Sequence, residues 1–449
     1  MVRSGRRAEG PLGLRLMAGE SRLARLARLG GLTSRMTGYG VRERLLGATV
    51  DRAEAARELV DSLSRLKGAA MKVGQQISLV ASALDLPDDV QRSLRRLERE
   101  AEPVPWWTVH QILERELEEH PDDVFASIDR EPLGTASLAQ AHAATLADGR
   151  RVVVKVLHPG VLEGLDTDLL ALRAVLAGGR LVGRSDRELK GILHEVEARL
   201  REEVDYLQEA ANLEAFSTLY AGDPRVVMPA PHVDLCTRRV LVLDRVEGVP
   251  LHELVATGSA EARQRAGLTL AELFFEMTFV HRLLHADPHP GNYLFQPDGT
   301  VGLLDFGCVK RFDEFFLGGY ARTALCALRG DREGTLAAAR DLGTWTGETP
   351  EAGEALWAFC NAALGPWRAG PMVLGKGENL VTRTRAAAEE IWKHPEIMGV
   401  PDMVYLHRTL AGLYTMARAL EVEHDWAALL ERYLVYAVDV AEGRSRPVP

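Results

Sequence analysis

Three short strings, widely separated in the chain, constrain its fold most strongly: Val152–Lys155, His285–Asn292 and Leu304–Gly307. Lys155 lies on an apolar run of β type, from which a lysine can reach the phosphates of a nucleotide. Asp287 and Asn292 stand five residues apart, and Asp305 opens an Asp-Phe-Gly string further on. Carboxylate and amide oxygens are the hard ligands that Mg²⁺ prefers. The ordered set predicts a phosphoryl-transfer site, with Asn292 and Asp305 on the metal and Asp287 orienting or deprotonating the attacking hydroxyl.

Length and charge limit the classes of protein that need consideration. A chain of 449 residues is too long for one hydrophobic core, so two lobes with extensions are expected. The net charge of −10 gives no support to nucleic-acid binding by the whole chain. Residues 1–45 carry ten arginines against three glutamates, a net charge of +7. Part of this arm has the spacing of a weak basic amphipathic helix, which fits either a solvated segment or contact with anionic lipid.

The cysteines and the apolar windows bear on the compartment. The four cysteines are far apart and form no C-x-x-C pair, as expected in a reducing, cytoplasmic compartment. No secretory signal is recognised, and the best apolar window, Leu268–Leu284, is interrupted by Glu272, Glu276 and Arg282. This window predicts a buried helix and no transmembrane segment.

Hydrophobic periodicity divides the chain into helical and strand-bearing regions. Helical spacing dominates from residue 51 to 120 and again from Leu251 onward. The strands predicted between these regions are Ala136–Leu146, Arg151–Leu157 and Val240–Asp244, the first two joined by the turn 147–150. Apolar residues at Ile192, Val196, Leu200, Val204 and Leu207 predict one long helix. On that helix Asp205 and Glu209 would share a face, where one basic group could engage both.

Four further strings give the chain its resemblance to a known family. Lys72, Gly74 and Gln75 form a K-x-G-Q string, and residues 132–140 form an alanine-rich string. An E-x-D string lies at 203–205 and Tyr-Leu-His-Arg at 405–408. Together with the strings named first, they resemble the UbiB/AarF family of atypical, protein-kinase-like proteins. That family is associated with coenzyme Q and other isoprenoid-lipid pathways.

The resemblance implies a fold and a domain order. The expected class is α+β, a bilobal protein-kinase-like fold with a small β-containing N-lobe, a large helical C-lobe and a helical N-terminal K-x-G-Q extension. The expected domains are a basic arm (1–50), the extension (51–120), the N-lobe (121–250) and the C-lobe (251–449).

The resemblance also implies roles for individual residues. Glu209 would hold Lys155 extended, as in the Lys–Glu pair of kinases. Lys72 would dock across the cleft onto Glu203 and Asp205, so that the extension regulates the site. The residues expected to contact nucleotide, besides Lys155, are Ala136, Ser137, Asp244 and Val246. Gly134 departs from the family's alanine pattern and leaves the preference between ATP and ADP open, because glycine adds backbone freedom.

The expected function is that of an atypical kinase or ATPase. It would bind ATP or ADP with Mg²⁺ and support ubiquinone-type or related lipid biosynthesis, with anionic or quinone-pathway lipids or enzymes as partners. A peripheral position at the inner face of a membrane is expected, and a homodimer is left open. Two alternatives remain: a small-molecule phosphotransferase of the aminoglycoside/choline kinase type, and a non-catalytic nucleotide-gated scaffold. A metal triad of His285, Asp287 and His289 is disfavoured, because Asn292 and Asp305 at kinase spacing already explain Asp287. The two histidines are expected to brace the loop.

Overall fold

The computed structural model describes residues 103–449 except for 136–137, 167–168, 170–196, 198–200, 202–203, 348, 375, 377–378, 392 and 395. The predicted basic arm (1–50) and the part of the predicted extension before residue 103 therefore lie outside the described residues. The same holds for six predicted site residues: Lys72, Gly74, Gln75, Ala136, Ser137 and Glu203.

The described strands and helices are as follows. The strands are β1 (Phe125–Ile128), β2 (Gly134–Thr135), β3 (Ala139–Leu146), β4 (Arg151–Leu157), β5 (Val226–Val227), β6 (Val240–Asp244), β7 (Leu283–His285), β8 (Tyr293–Phe295), β9 (Val301–Leu303), β10 (Val309–Arg311), β11 (Met372–Val373) and β12 (Glu423–His424). The helices are α1 (Trp106–Glu116), α2 (Pro121–Val124), α3 (Tyr206–Leu219), α4 (Leu251–Thr257), α5 (Ala260–Phe275), α6 (Glu314–Arg329), α7 (Arg332–Asp341), α8 (Pro350–Leu364), α9 (Leu380–Ile391), α10 (Pro401–Ala419) and α11 (Trp426–Ala441).

The chain divides into two compact units. One comprises the described residues up to Ala210 together with Pro231–Arg245. The other comprises Ala211–Ala230 and Val246–Pro449. The first unit contains the larger sheet and the second is mainly helical, so the predicted α+β class is confirmed.

The described part of the first unit contains an antiparallel sheet. Its strand order is β1-β3-β4-β6, with β2 on the edge of β3. The predicted strands Arg151–Leu157 and Val240–Asp244 are confirmed at both ends. The turn at 147–150 joins β3 to β4, and Gly149 takes the positive φ of 90° that such a turn needs. The strand predicted from Ala136 begins instead at Ala139, since Leu138 lies in a bend after the separate strand β2.

Helix α1 covers one face of this sheet. Val109, Ile112 and Leu113 point from α1 into a core with the inward residues of β3, β4 and β6. Val152, Val154 and Val156 alternate along β4 into that core, so the residues between them face the other side of the sheet. This alternation places Lys155 away from the α1 core.

The prediction of one long helix through Val204 and Leu207 is wrong at the carboxyl end of that helix. Val204 lies in a turn, Asp205 is not helical, and α3 begins at Tyr206. The Asp205 carboxylate accepts a hydrogen bond of 3.3 Å from the backbone N–H of Gln208, the pattern of a helix N-cap. Asp205 and Glu209 therefore do not share the face of one continuous helix.

The second unit is built mainly from α4–α11. A second boundary prediction fails here: the apolar window Leu268–Leu284 is not one helix. Helix α5 ends at Phe275, a π-helical turn follows at Glu276–Val280, and the chain then enters β7. Arg282, with φ of 55°, makes the change of direction into that strand. In the described ranges, no helix has both the length and the apolar character needed to cross a membrane.

Candidate functional site

Lys155 and Glu209 form an ion pair in the first unit. Lys155 lies on β4, the strand between β3 and β6, where it stands opposite Ala141 and Leu241. Its Nζ donates to Glu209 Oε1 at 2.6 Å, and the two side chains are 18% and 5% exposed. Glu209 comes from the first turn of α3, just after the Asp205 cap. The predicted pairing is confirmed, and its role in ordering phosphates stays a prediction.

Strand β2, which leads into the predicted nucleotide loop, lies at the edge of the sheet. Gly134 stands opposite Ala141 of β3, with its φ outside the positive range. A Cβ added to Gly134 would meet no heavy atom within 4 Å. The described backbone therefore has no steric need for glycine here. Ala136 and Ser137, which follow, lie outside the described residues.

The two other predicted nucleotide contacts lie at the end of β6 and just after it. Asp244 ends this strand, and its Oδ1 lies 2.8 Å from Nε2 of His232. Val246 packs close to β9, because a Cβ on Gly302 would approach its Cγ1 to 3.0 Å. His232 was not predicted from the sequence, since its pairing with Asp244 depends on a fold-back of the chain that has no local pattern. Nucleotide contact by Asp244 and Val246 remains a prediction.

The loop that carries Asp287 is held by its own side chains. Asn292 Nδ2 donates to Asp287 Oδ2 at 2.9 Å, so the two predicted site residues are in direct contact. The loop then turns through a short 3₁₀ segment, Pro290–Asn292, where His289 Nδ1 accepts a 3.1 Å hydrogen bond from Gly291 N–H. Leu304 N–H donates to the Asn292 carbonyl at 3.0 Å. This last bond connects the loop to the chain just before Asp305.

His285 makes a second connection between the same two segments. Its Nε2 hydrogen-bonds the backbone carbonyl of Asp305, and its ring is 2% exposed. The ring also packs edge-on against Phe306, with centroids 5.2 Å apart. Because His285 and His289 each bond a backbone group, they brace the loop as predicted. Nowhere in the described ranges do three His, Cys, Asp or Glu side chains form a metal-binding group.

The Asp-Phe-Gly string is fixed by contacts from α3. Phe306 is fully buried and packs against Phe216, with ring centroids 5.1 Å apart. Asn212 Nδ2 donates to the Phe306 carbonyl at 2.9 Å. Asp305 Oδ1 accepts a 3.0 Å hydrogen bond from Gly307 N–H, which orients its carboxylate. Sequence reasoning missed Asn212 and Phe216, whose partners lie some ninety residues away.

The electrostatics of the loop favour a cation. Asp287 and Asp305 supply carboxylates and Asn292 an amide oxygen, a donor set suited to Mg²⁺. Beneath the loop, burial raises the pKa of the Tyr293 hydroxyl well above its usual range, and the negative charge of Asp287 adds to the effect. Tyr293 therefore stays neutral and adds no negative charge beside the Asp287 carboxylate. The second unit thus carries these hard oxygens on two segments that are joined by hydrogen bonds.

Comparisons with known proteins find relatives of this chain and a similar solved fold. Residues 96–339 match a family model described as the ABC1 atypical kinase-like domain. The chain is similar to the atypical kinase COQ8B, mitochondrial, of Danio rerio, with 28% identity over 95% of this chain and 70% of the relative. It is 32% identical to the Rattus norvegicus protein of the same description, over 88% of this chain and 77% of the relative. Among solved structures, the complex of Rv3197 with erythromycin from Mycobacterium tuberculosis is similar, with a TM-score of 0.60 and 28% identity over 84% of this chain and 94% of that chain.

Proposed function

The chain belongs to the UbiB/AarF family of ABC1 atypical kinase-like proteins, and we propose on that premise that it is a Mg-nucleotide-dependent ATPase or atypical kinase. We further propose that this activity supports the biosynthesis of an isoprenoid quinone or a related lipid. The relatives named above are described as atypical kinases, which supports the first step. The lipid pathway rests on the family resemblance.

The observation that carries the proposal is the double connection between the two acidic segments. Asn292 bonds Asp287 within the loop, while His285 bonds the carbonyl of Asp305. The carboxylate that would orient a nucleophile and the oxygens that would hold Mg²⁺ therefore sit on one braced framework. Rigid placement of such groups is what phosphoryl transfer requires of a protein, since most of its catalysis is positioning and charge stabilisation.

Each side chain has a defined task in this proposal. Asn292 and Asp305 would hold Mg²⁺, which when bound neutralises charge on the phosphate oxygens. Asp287 would orient the attacking water or hydroxyl and accept its proton. Lys155, kept extended by Glu209, would neutralise phosphate charge from the first unit.

Regulation by the K-x-G-Q string is a separate part of the proposal. Lys72 would engage Glu203 and Asp205 and exclude protein substrates, so ATPase or small-molecule activity is expected before protein kinase activity. Asp205 already caps α3 and lies 3.8 Å from the guanidinium of Arg238. Lys72→Ala is expected to change nucleotide selectivity or to permit self-phosphorylation. Wild-type behaviour of that variant would exclude the gating role.

Mg²⁺-dependent phosphate release from ATP tests the activity. Wild type should release phosphate, and Asp287→Asn should be roughly 100-fold slower or more, the range for loss of a general base. Asp425→Asn is the matched control, because Asp425 caps α11 and accepts a 3.0 Å bond from Ala428 N–H away from the loop. Equal, measurable rates for wild type and Asp287→Asn would exclude Asp287 as the base. No phosphate release by wild type, with Mg-nucleotide still bound, would favour the scaffold alternative.

The choice of acceptor and the membrane role need a parallel assay. Phosphate release is measured with phosphatidylglycerol vesicles, with phosphatidylcholine vesicles and with soluble hydroxylated acceptors. Erythromycin belongs in that last panel because the Mycobacterium tuberculosis relative is described in complex with it. Stimulation by anionic vesicles alone, lost on deletion of residues 1–45, would support the peripheral membrane role. Stimulation by a soluble acceptor alone would revive the small-molecule phosphotransferase alternative.

A further inference from the structure

Helix α10 lies directly against the loop that carries Asp287. Arg408 Nη2, on α10, donates a hydrogen bond to the carbonyl of Ala286, the residue before Asp287. One turn later, Gly412 approaches Pro288, the residue after Asp287, so closely that an added Cβ would lie 2.4 Å from Pro288 Cβ. The helix therefore touches both chain neighbours of the proposed base.

The same helix also contacts the chain that leaves the Asp-Phe-Gly string. Arg408 Nη2 is 3.6 Å from Cys308 Sγ, and Ala286 N–H donates to the Cys308 carbonyl at 2.9 Å. Two residues on, Lys310 Nζ reaches Asp402 Oδ1 on α10 at 2.5 Å. One guanidinium thus bridges the segment before Asp287 and the segment after Asp305.

The chemistry of these contacts suggests positioning, beyond simple packing. The Nε of Arg408 is buried and has no hydrogen-bond partner among the residues described, so this side chain carries an unrecovered desolvation cost. A methionine or leucine would fill the same space without that cost. What the guanidinium adds is a charge-assisted bond of fixed direction to a backbone carbonyl in the loop.

We propose that Arg408 and Gly412 are positioning residues for Asp287, through which α10 sets where the carboxylate meets the nucleophile. The inference rests on the proposed phosphoryl-transfer function and deepens it. Neither residue touches the nucleotide or the metal in this scheme. Their loss should lower the rate of the chemical step and leave nucleotide affinity largely intact, because a displacement of about 1 Å can cost roughly 100-fold in rate.

Two substitutions test the proposal, each with a matched control. Arg408→Lys keeps the charge and loses the directed fork, whereas Arg368→Lys does the same to an arginine that donates to the carbonyls of Leu328 and Ala327, away from the loop. Gly412→Ala adds a methyl group against Pro288. Gly318→Ala adds one where a Cβ would lie 2.3 Å from Ala441 Cβ, between two helices.

The measurements are kcat for Mg²⁺-dependent ATP hydrolysis, the Kd of Mg-nucleotide by calorimetry, and Tm. The expected result is a kcat lower by about 10-fold or more in Arg408→Lys and Gly412→Ala, with Kd within about 3-fold of wild type. The controls should lose comparable Tm and keep kcat. Should Arg408→Lys fail to fold, Gly412→Ala decides alone.

Equal kcat in the test and control variants, at comparable Tm, would overturn the positioning role. A parallel loss of kcat, affinity and Tm in all four variants would overturn it as well, since that is general destabilisation. Failure of the proposed function looks different: wild type itself would neither bind Mg-nucleotide nor release phosphate.

Discussion

Lys155 and Glu209 form a largely buried pair, and its two members depend on each other. Glu209→Gln is expected to weaken nucleotide binding by about 10-fold, because Lys155 is no longer held extended. Removing one partner of such a pair also costs about 3 kcal/mol of unfolding free energy. A double-mutant cycle with Lys155→Met, read by urea denaturation, measures the coupling between the two side chains.

The exposed pair Arg329–Glu431 is the control for that cycle. Its atoms are also 2.6 Å apart, but the side chains are 55% and 39% exposed. Coupling there should be below about 1 kcal/mol. Equal coupling energies for the two pairs would contradict the view that burial gives the Lys155 pair its strength.

His407 gives a pH dependence that can be assigned to one side chain. Burial lowers the pKa of His407 from 6.5 to about 4, and its Nε2 lies 3.1 Å from the Tyr320 hydroxyl. Above about pH 6.5 the imidazole is neutral in both states, so the stability it contributes is fully present there. Between pH 6.5 and 4 the imidazole of His407 binds a proton in the unfolded chain and stays unprotonated in the folded protein. The free energy of unfolding should therefore decrease as the pH is lowered from 6.5 to 4, by up to about 3 kcal/mol.

Chemical denaturation at pH 7 and pH 4.5 tests this assignment. His407→Gln should reduce the pH dependence, since glutamine keeps hydrogen-bonding capacity and does not titrate. Tyr320→Phe should lower stability at both pH values and leave the slope unchanged. Burial also lowers the pKa of His142 and His281, so some slope remains in His407→Gln. An unaltered slope in that variant would exclude His407 as a major contributor.

Among the elements, strand β2 allows a direct test of the departure from the family's alanine pattern. Gly134→Ala should be tolerated, or stabilising by about 0.5 kcal/mol, because its φ and the surrounding space both accept a methyl group. Gly149→Ala should instead lose about 1 kcal/mol or more, since its φ is +90°. Thermal unfolding of the two variants makes the comparison.

The same substitution bears on nucleotide preference. Loss of backbone freedom beside the predicted loop should weaken the binding of ATP more than the binding of ADP. ATP has one more phosphate that backbone amides can contact. Calorimetric titration of Gly134→Ala with each Mg-nucleotide gives the ratio of the two affinities. If Gly134→Ala destabilises as much as Gly149→Ala, the assignment of β2 is wrong.

Elements with strong local patterns were predictable from the sequence, and their interruptions were not. The valines of β4 and the apolar run of β6 specify buried strands, and both ends of each agree. The helix break at Asp205 follows from a side-chain cap that competes with helix continuation. The change from α5 to β7 depends on Arg282 adopting a positive φ within a continuous apolar window. Periodicity does not detect either kind of event.

At the scale of the whole molecule, the spacing of the motifs predicted which residues lie close together, whereas their role as a nucleotide site stays a prediction. The spacing of Asp287, Asn292 and Asp305 anticipated that these residues would be brought together. The residues that hold them, such as Asn212 and Arg408, lie far away in sequence and carry no spacing signal of their own. Tertiary contacts of this kind become visible only in the folded chain.

The central claim is a Mg-nucleotide site that depends on Asp305, and nucleotide-induced stabilisation tests it most directly. Unfolding is followed with ATP or ADP, with and without Mg²⁺, for wild type, Asp305→Asn and Asp298→Asn. Asp298 is the matched control, because its Oδ1 accepts a 3.0 Å bond from Thr300 N–H just as Asp305 Oδ1 does from Gly307.

Wild type and Asp298→Asn should gain about 2.7 kcal/mol when nucleotide is at about 100 times its Kd, and only when Mg²⁺ is present. Asp305→Asn should lose this gain while keeping its stability without nucleotide. Equal stabilisation of Asp305→Asn and wild type, or no Mg²⁺-dependent stabilisation of wild type, would contradict the account.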